Sequence, residues 1–240
     1  MKAMIFAAGL GTRLRPYTER LPKALVEIAG VPMLEHVIQQ LKSFGIRDFT
    51  VNVHHFSEQI IHYLDTHPRK DITIHISDES DKLLDTGGGL KKAATLLSGN
   101  NPILLHNVDV LSKIPIQSML IEHATSGALV TLAVSKRDSS RKLLFGNDGR
   151  MVGWKNTKTG ETRGNLTKIK DITEFAFSGI HIIEPMLLKL LPSADVFSII
   201  DLYISHCSKY PIRAFEHDPD DFLDIGKPDQ LVKADKFLRQ

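Results

Sequence analysis

The sequence predicts an α/β fold: a mostly parallel, twisted sheet with helices on both faces, in three α/β/α layers. Three observations predict it. Short β-like runs alternate with amphipathic helical runs through the first half, and such alternation builds right-handed strand–helix–strand units. The 240 residues are 42% hydrophobic and 24% charged, which suits a chain with a large buried core. Three polar clusters follow strands: the opening loop, "LLDTGGG" and "HNVD". Open sheets of this Rossmann-like kind bind ligands outside the carboxyl ends of their strands.

"AMIFAA" is a strand that runs into a glycine-rich loop. "PMLEHVIQQLKSFG" is a helix: Pro32 suits its first turn, Leu34, Val37, Ile38 and Leu41 share one face, and Gly45 ends it. "DFTVNVH" is a strand, and "SEQIIHYLDTH" is a helix with Ser57 as N-cap. "DITIHIS" is a strand. "GGGLKKAATLLSG" is a helix with Leu90, Ala93, Ala94 and Leu97 on one side. "PILLHNVDVL" is an apolar strand that turns polar at its end, "IQSMLIEHATSG" is a helix and "ALVTLAVS" a strand. The second half is less regular. Residues 143–165 read as hairpin and loop, with Asp148-Gly149 as a turn. "EFAFSGIHIIEP" is a strand stopped by Pro185, "PMLLKLL" and "FSIIDLYISHC" are helical, "PIRAFEH" and "DFLDIG" are strands, and "PDQLVKADKFLRQ" is a closing helix. No linker or repeat divides the chain, so residues 1–240 read as one domain. Its second half, 136–240, extends the body formed by 1–135.

Composition excludes several classes. A net charge of +2 with no Lys/Arg block argues against nucleic acid. The single cysteine, Cys207, permits no intrachain disulfide. It reads as a buried, inert thiol and fits a reducing cytoplasm. The first apolar run is too short for a signal peptide, and no run approaches the ~20 apolar residues of a membrane span. The "NLT" sequon at Asn165 is then a chance match.

The opening loop is neither of two common phosphate loops. A Walker A loop needs Gly-Lys-Ser/Thr after its spacer, but here Gly11 is followed by Thr12 and Arg13. A dinucleotide fingerprint needs a third glycine where Leu14 stands. What remains is a Gly-x-Gly turn whose N–H groups face an anion, with Arg13, Arg15 and Lys23 close behind. Such donors clamp a polyphosphate. On spacing alone, a solvated turn with surface cations stays open.

The stretch "AMIFAAGLGTRLRPYTERLPKALVEIAGVPML" closely resembles the opening signature of the sugar-1-phosphate nucleotidyltransferases. Ala7, Ala8, Gly9, Gly11, Thr12, Arg13, Pro16, Thr18, Pro22 and Lys23 carry the match. It continues through "LLDTGGG", "HNVD", "FSGIHIIEP" and "FLDIG", and so covers almost the whole chain. The resemblance implies an enzyme that joins a nucleotide to a sugar 1-phosphate and releases pyrophosphate. Residues 1–135 would be the nucleotide-binding half and 136–240 the sugar-phosphate side. Ala8, Gly9, Gly11, Thr12 and Arg13 would hold the nucleotide phosphates, with Arg13 on the departing pyrophosphate and Lys23 bridging the α-phosphate and the sugar phosphate. An anionic acceptor needs no general base, which agrees with the lack of a Ser/His/Asp triad.

Taken alone, Asp109 is a strand-end turn residue and Asp224 an unremarkable loop acid. The resemblance makes them the two ligands of Mg²⁺, whose hard oxygen preference they meet. Two departures touch this region: Val108 stands where the family commonly has Gly, and Lys227 where it often has Thr. Asp220 and Asp221 read as solvated charges. By resemblance, Asp85, Thr86, Gly87 and Gly88 form the base and ribose region, with N–H groups free to meet a base or an anion. Asn107 could contact ribose or sugar. Ser178 and Gly179, beside Phe177, lie near the sugar. Trp154 either stacks on the sugar or packs. His54 and His55 are a rim or surface pair, and His106 is a core histidine.

The acidic-Thr-Gly-Gly-Gly form looks most like the uridylyltransferases that act on N-acetylmuramate 1-phosphate in bacterial cell-wall recycling. Related enzymes use GTP with mannose or heptose phosphates. Two other readings remain: a non-catalytic protein that binds a sugar nucleotide, and a choline-phosphate-type cytidylyltransferase. The full set Arg13, Lys23, Asp109 and Asp224 argues against the first. The absence of an aromatic cluster in sequence argues against the second.

Overall fold

The computed structural model describes residues 1–166 and 171–239. The first half holds β1 (Lys2–Phe6), β2 (Glu27–Ile28), β3 (Val31–Pro32), α1 (Met33–Ser43), β4 (Asp48–Val53), α2 (Ser57–Thr66), β5 (Thr73–Asp78), α3 (Asp85–Ala93), β6 (Ile103–Asn107), β7 (Val110–Ser112), α4 (Ile116–Ser126) and β8 (Val130–Ser135). The second holds β9 (Arg141–Phe145), β10 (Met151–Asn156), β11 (Thr162–Gly164), β12 (Thr173–Ile183), α5 (Ile199–His206), β13 (Ile212–Glu216), β14 (Phe222–Asp224) and α6 (Pro228–Arg239).

The main sheet has ten strands in the order β11-β10-β9-β12-β6-β1-β4-β5, with β8 paired to β12 and β13. β5, β4, β1 and β6 run parallel, and so do β8 and β13. β12 lies antiparallel to β6, β8 and β9, and β9, β10 and β11 form an antiparallel ribbon. The α/β class is as the sequence predicts, with the parallel pairing concentrated in the first half. Hairpins explain the remainder: the turn at Asp148-Gly149, with Gly149 at φ 73, joins β9 to β10 and so forces them antiparallel.

Strand alternation separates two cores. Ala3 and Ile5 pack on one face with Leu34, Val37, Ile38, Leu41 and Ile60 from α1 and α2. Met4 and Phe6 pack on the other with Leu90, Ala93, Leu202 and Tyr203 from α3 and α5. Helices therefore cover both faces. A third cluster joins Leu14 of the opening loop to Met33, Leu111, Ile225 and Ala234.

Four local expectations change. Ser57 is the first residue of α2 rather than its cap, and Phe56 at φ 51 precedes it without a side-chain cap bond. α3 begins at Asp85, two residues ahead of the first glycine, and it stops at Ala93. "PILLHNVDVL" breaks after Asn107, and β7 leaves the main sheet to pair with β14. "PMLLKLL" forms a 3-10 helix, Pro185–Leu190, opened by its proline. Thr167 of the sequon and Gln240 of the closing helix lie outside the described residues. Cys207 is a buried free thiol just past α5, and burial pushes its pKa up. Among the described residues no helix is long and apolar enough to cross a membrane.

Candidate active site

Register places the site. Phe6 at the end of β1 lies opposite Asn52 on one side and Asn107 on the other. These three residues form one rim of the sheet. The opening loop leaves from Phe6, and the Ala7 N–H donates to Asn52 Oδ1 at 2.8 Å. Gly11 sits at φ 64, where a side chain would be strained. Its carbonyl accepts from the Thr18 hydroxyl at 2.7 Å and from the Leu14 N–H at 2.9 Å. Buried Leu14 then pins the loop into the third core cluster. The result is a cavity of about 380 Å³ lined by Gly9, Gly11, Thr12, Arg13, Lys23 and Asp109, among others. Val108 also lines it.

Asp109 and Asp224 are brought together by the β7–β14 pair. Asp224 lies opposite Val110, and the Ile225 N–H donates to Asp109 O at 2.8 Å. The Lys23 ammonium bonds directly to Asp109 Oδ2. Arg13 arrives from the loop: a Cβ added at Gly226 would meet its Nη2 at 2.8 Å and Asp224 Oδ1 at 2.9 Å. Burial, followed by the neighbouring Asp109 charge, pushes the Asp224 carboxyl up, while Lys23, Arg13 and Arg137 pull it down. Asp224 Oδ1 is buried and has no hydrogen-bond partner among the described residues.

An orphaned carboxylate oxygen beside a second carboxylate fits a divalent cation. Asp109 and Asp224 would hold it through oxygen. No cluster of three or more His, Cys, Asp or Glu exists among the described residues. Mg²⁺ tolerates that, since it usually takes one or two carboxylates plus phosphates and water.

A second cavity of about 380 Å³ adjoins the loop. Ala8, Gly9, Asp85, Thr86, Asn107 and Glu79 are on its wall. Below it, Asn52 Nδ2 donates to buried Glu79 Oε1 at 2.7 Å, and the His54 ring bonds Glu79 O at 2.6 Å. Burial pushes the Glu79 carboxyl up, against the pull of the Asn52 amide. Asp85 stands at φ 59, a strained conformation for a residue with a side chain. The Thr86 hydroxyl accepts from the Ile199 N–H at 3.0 Å and so ties this rim to α5.

Gly87 and Gly88 depart from expectation. Neither lines a cavity of the cleft. Their N–H groups donate to Phe197 O at 2.9 and 3.2 Å, so those donors are not free for a base. Their role is close approach. A Cβ on Gly88 would lie 2.0 Å from Asp195 O, and one on Gly87 would lie 2.3 Å from the Phe197 ring. Three glycines cost a helix about 3 kcal/mol against alanine, and this contact accounts for tolerating that.

The third cavity, about 570 Å³, spans the two halves. Asp85, Thr86 and Asn107 wall it from the first half, and Trp154, Phe177 and His181 from the second. Ser178 is also not where the sequence put it. It is buried, and its hydroxyl bonds His217 Nε2 at 2.8 Å. Gly179, at φ 72, abuts the Asn107 amide rather than the cavity. Phe177 and His181, four residues apart on β12, share one face and line the cleft, while Ser178 between them alternates away from it. Trp154 packs in the second core and also lines the cavity. His106 is a core residue, and burial lowers its pKa to about 4.

Sequence reasoning missed Asn52, Glu79, Arg141, Asn156 and Arg163 at the cleft. Strand-end position gave a signal for Asn52 and Asn156. Nothing local marked the others.

A family model described as nucleotidyl transferase matches residues 2–147. The chain is 35% identical over 212 residues to the N-acetylmuramate alpha-1-phosphate uridylyltransferase of Caulobacter vibrioides, covering 84% of this chain and 82% of that protein. It is 32% identical over 239 residues to the mannose-1-phosphate guanyltransferase of Debaryomyces hansenii, covering 98% of this chain but 63% of that longer protein. In fold it is similar to a putative glucose-1-phosphate thymidylyltransferase from Bacillus anthracis, solved in complex with a sucrose, with a TM-score of 0.80, 18% identity, and coverage of 100% and 96%. The glycine loop, the carboxylates across its mouth and these likenesses agree: the chain belongs to the nucleotidyl transferase family, among the sugar-1-phosphate nucleotidyltransferases.

Proposed function

We propose that this enzyme transfers a nucleotidyl group from UTP to N-acetylmuramate 1-phosphate, releasing pyrophosphate. One observation carries the reaction class: Lys23, Asp109, Asp224 and Arg13 converge at the glycine loop, between cavities that can take a nucleotide and a sugar. We read 1–240 as one working unit, with 1–135 on the nucleotide and 136–240 on the sugar phosphate.

An oxygen of the acceptor phosphate attacks the α-phosphorus. The bond from that phosphorus to the β-bridging oxygen breaks, and pyrophosphate leaves. No proton has to move, so the chain's task is to align two anions and neutralise them. Gly9, Gly11 and Thr12 cradle the triphosphate. Arg13 takes the growing charge on pyrophosphate. Lys23 exchanges its Asp109 contact for the α-phosphate and the acceptor phosphate, and holds them together. Asp109 and Asp224 would hold Mg²⁺ through oxygen, and the bound ion would supply further charge neutralisation. Asp85 and Asn107, between two cavities, position the ribose and sugar hydroxyls. The muramate choice rests on the acidic-Thr-Gly-Gly-Gly form and on the uridylyltransferase relative, which is 35% identical with 82% of its own length matched, against 32% and 63% for the longer guanyltransferase. A cytoplasmic role in cell-wall recycling follows from that choice.

The test is pyrophosphate release with Mg²⁺. UTP, GTP, CTP, ATP and dTTP are crossed with the 1-phosphates of N-acetylmuramic acid, N-acetylglucosamine, glucose, mannose and heptose. Strong turnover with UTP and the muramate supports the full reading. GTP with mannose or heptose phosphate replaces the substrate pair, and no release from any pair leaves a sugar-nucleotide binder.

A further inference from the structure

We infer that Arg141 binds a carboxylate carried by the sugar, so that the acceptor class is an acidic sugar 1-phosphate. The inference rests on the nucleotidyl-transfer reading of the same cleft. Three arginines line the cleft: Arg13 at the phosphate loop, and Arg141 and Arg163 in the third cavity. Arg163 is already satisfied. Its Nη1 meets Asp201 Oδ1 at 2.6 Å, its Nε meets Glu161 Oε1 at 3.3 Å, and its guanidinium lies 4.3 Å over the Trp154 ring. Arg141 is held only by its backbone, whose N–H and carbonyl both bond the Ser139 hydroxyl, at 3.2 and 2.9 Å. Among the described residues its guanidinium has no hydrogen bond or ion pair.

Arg141 and Arg13, which stands near Asp224, lie in different cavities. Arg13 faces the triphosphate. Arg141 cannot serve the acceptor phosphate in the same place, because its cavity shares only Phe6 with the one that holds Lys23. It marks a second anion. A sugar that filled this cavity would displace water from the exposed Arg141 guanidinium, which, among the described residues, has no partner among the carboxylates Asp85, Glu161 and Asp201 that also line it. A carboxylate instead forms a charge-assisted, two-pronged pair. β9 presents Arg141 opposite Asn156, which also lines the cavity and can take neighbouring hydroxyls.

The experiment compares kcat/KM for N-acetylmuramate 1-phosphate, glucuronate 1-phosphate, N-acetylglucosamine 1-phosphate and glucose 1-phosphate. It uses the wild type, Arg141→Gln and Arg141→Lys, with melting curves to show that each folds. In the wild type an acidic sugar should be preferred over its neutral counterpart. Whether muramate or glucuronate wins tells a side-chain ether from a ring carboxylate. Arg141→Gln should cut the acidic-to-neutral ratio by about 30-fold, chiefly through KM, and Arg141→Lys should restore part of it. A ratio that survives Arg141→Gln, or an equal loss on acidic and neutral sugars, overturns the assignment and leaves nucleotidyl transfer standing. A wild type that prefers neutral sugars does the same. If no sugar is turned over, the nucleotidyl reading fails instead. Calorimetric titration with N-acetylmuramate 1-phosphate then reads the Arg141 contact alone, and equal binding by the wild type and Arg141→Gln overturns it.

Discussion

The Lys23 ammonium and the Asp109 carboxylate pair directly across 86 residues of sequence. Lys23 comes from the turn after the phosphate loop, and Asp109 from the break between two strands. Each neutralises the other in a partly buried place where neither charge is cheap alone. In the proposed reaction, substrate phosphates would compete for the lysine and a cation for the aspartate. Lys23→Ala should therefore lower kcat by about 10²- to 10³-fold, the usual loss for one preorganised donor, and raise KM for the sugar phosphate. Asp109→Ala should abolish turnover while melting remains cooperative. Steady-state kinetics beside circular dichroism checks both. Unchanged kinetics in Lys23→Ala would refute its bridging role, and retained activity in Asp109→Ala would remove it from the cation site.

Gly88 is a packing residue. An alanine there drives its Cβ to 2.0 Å from the Asp195 carbonyl, a backbone atom that cannot swing aside. Gly88→Ala should destabilise the protein by about 1–3 kcal/mol, the range for overpacked sites, despite the better helix propensity of alanine. Urea titration measures it. A stabilised variant would mean that α3 and the 195–197 segment move apart at no cost.

These contrasts show what a sequence carries. Lengths, periods and turn residues are local, so the strands, helices and layered sheet were legible. The long opening signature also singled out Gly9, Arg13 and Lys23, which the fold brings to one cavity. Three-dimensional aim was not legible. Gly87 and Gly88 sit in the predicted motif, yet their N–H groups are taken by a carbonyl far along the chain. Ser178 sits in a predicted strand, but which face of that strand meets the cleft is set by tertiary packing, and it is the face of Phe177 and His181. Glu79 and Arg141 carry no motif, and only pairing across the sheet or the cleft brings them to the cavities.

Asn52 supports the loop from beneath. Its Oδ1 satisfies the Ala7 N–H at 2.8 Å, and its amide satisfies Glu79 at 2.7 Å. Asn52→Ala leaves a buried donor and a buried carboxyl short of partners, at about 1–3 kcal/mol. The loop should then lose its set position, so KM for the nucleotide should rise more than KM for the sugar phosphate. Initial-rate kinetics with each substrate varied in turn reads the split. An equal effect on both would make Asn52 a general stability residue.

Histidines set the acid limit of the fold. His181 is buried between Phe6 of β1, Phe177 of its own strand, Tyr203 of α5 and His106 of β6. Its Nδ1 bonds the Tyr203 hydroxyl at 2.6 Å. Burial lowers its pKa from 6.5 to about 3, and His106 is lowered to about 4. Both rings stay neutral in the fold, while the unfolded chain binds a proton on each near 6.5. Their cost is absent above that value and grows as pH falls toward the folded values. At pH 5 linkage makes the loss about 2 kcal/mol per ring. Urea melts at pH 7.5 and pH 5.0 should therefore show a marked fall in stability. His181→Gln should be less stable than wild type at pH 7.5, since it gives up a packed ring. Its further loss on going to pH 5.0 should be smaller than that of wild type by about 2 kcal/mol. The same pH slope in both proteins would show that His181 accepts a proton in the folded state without penalty.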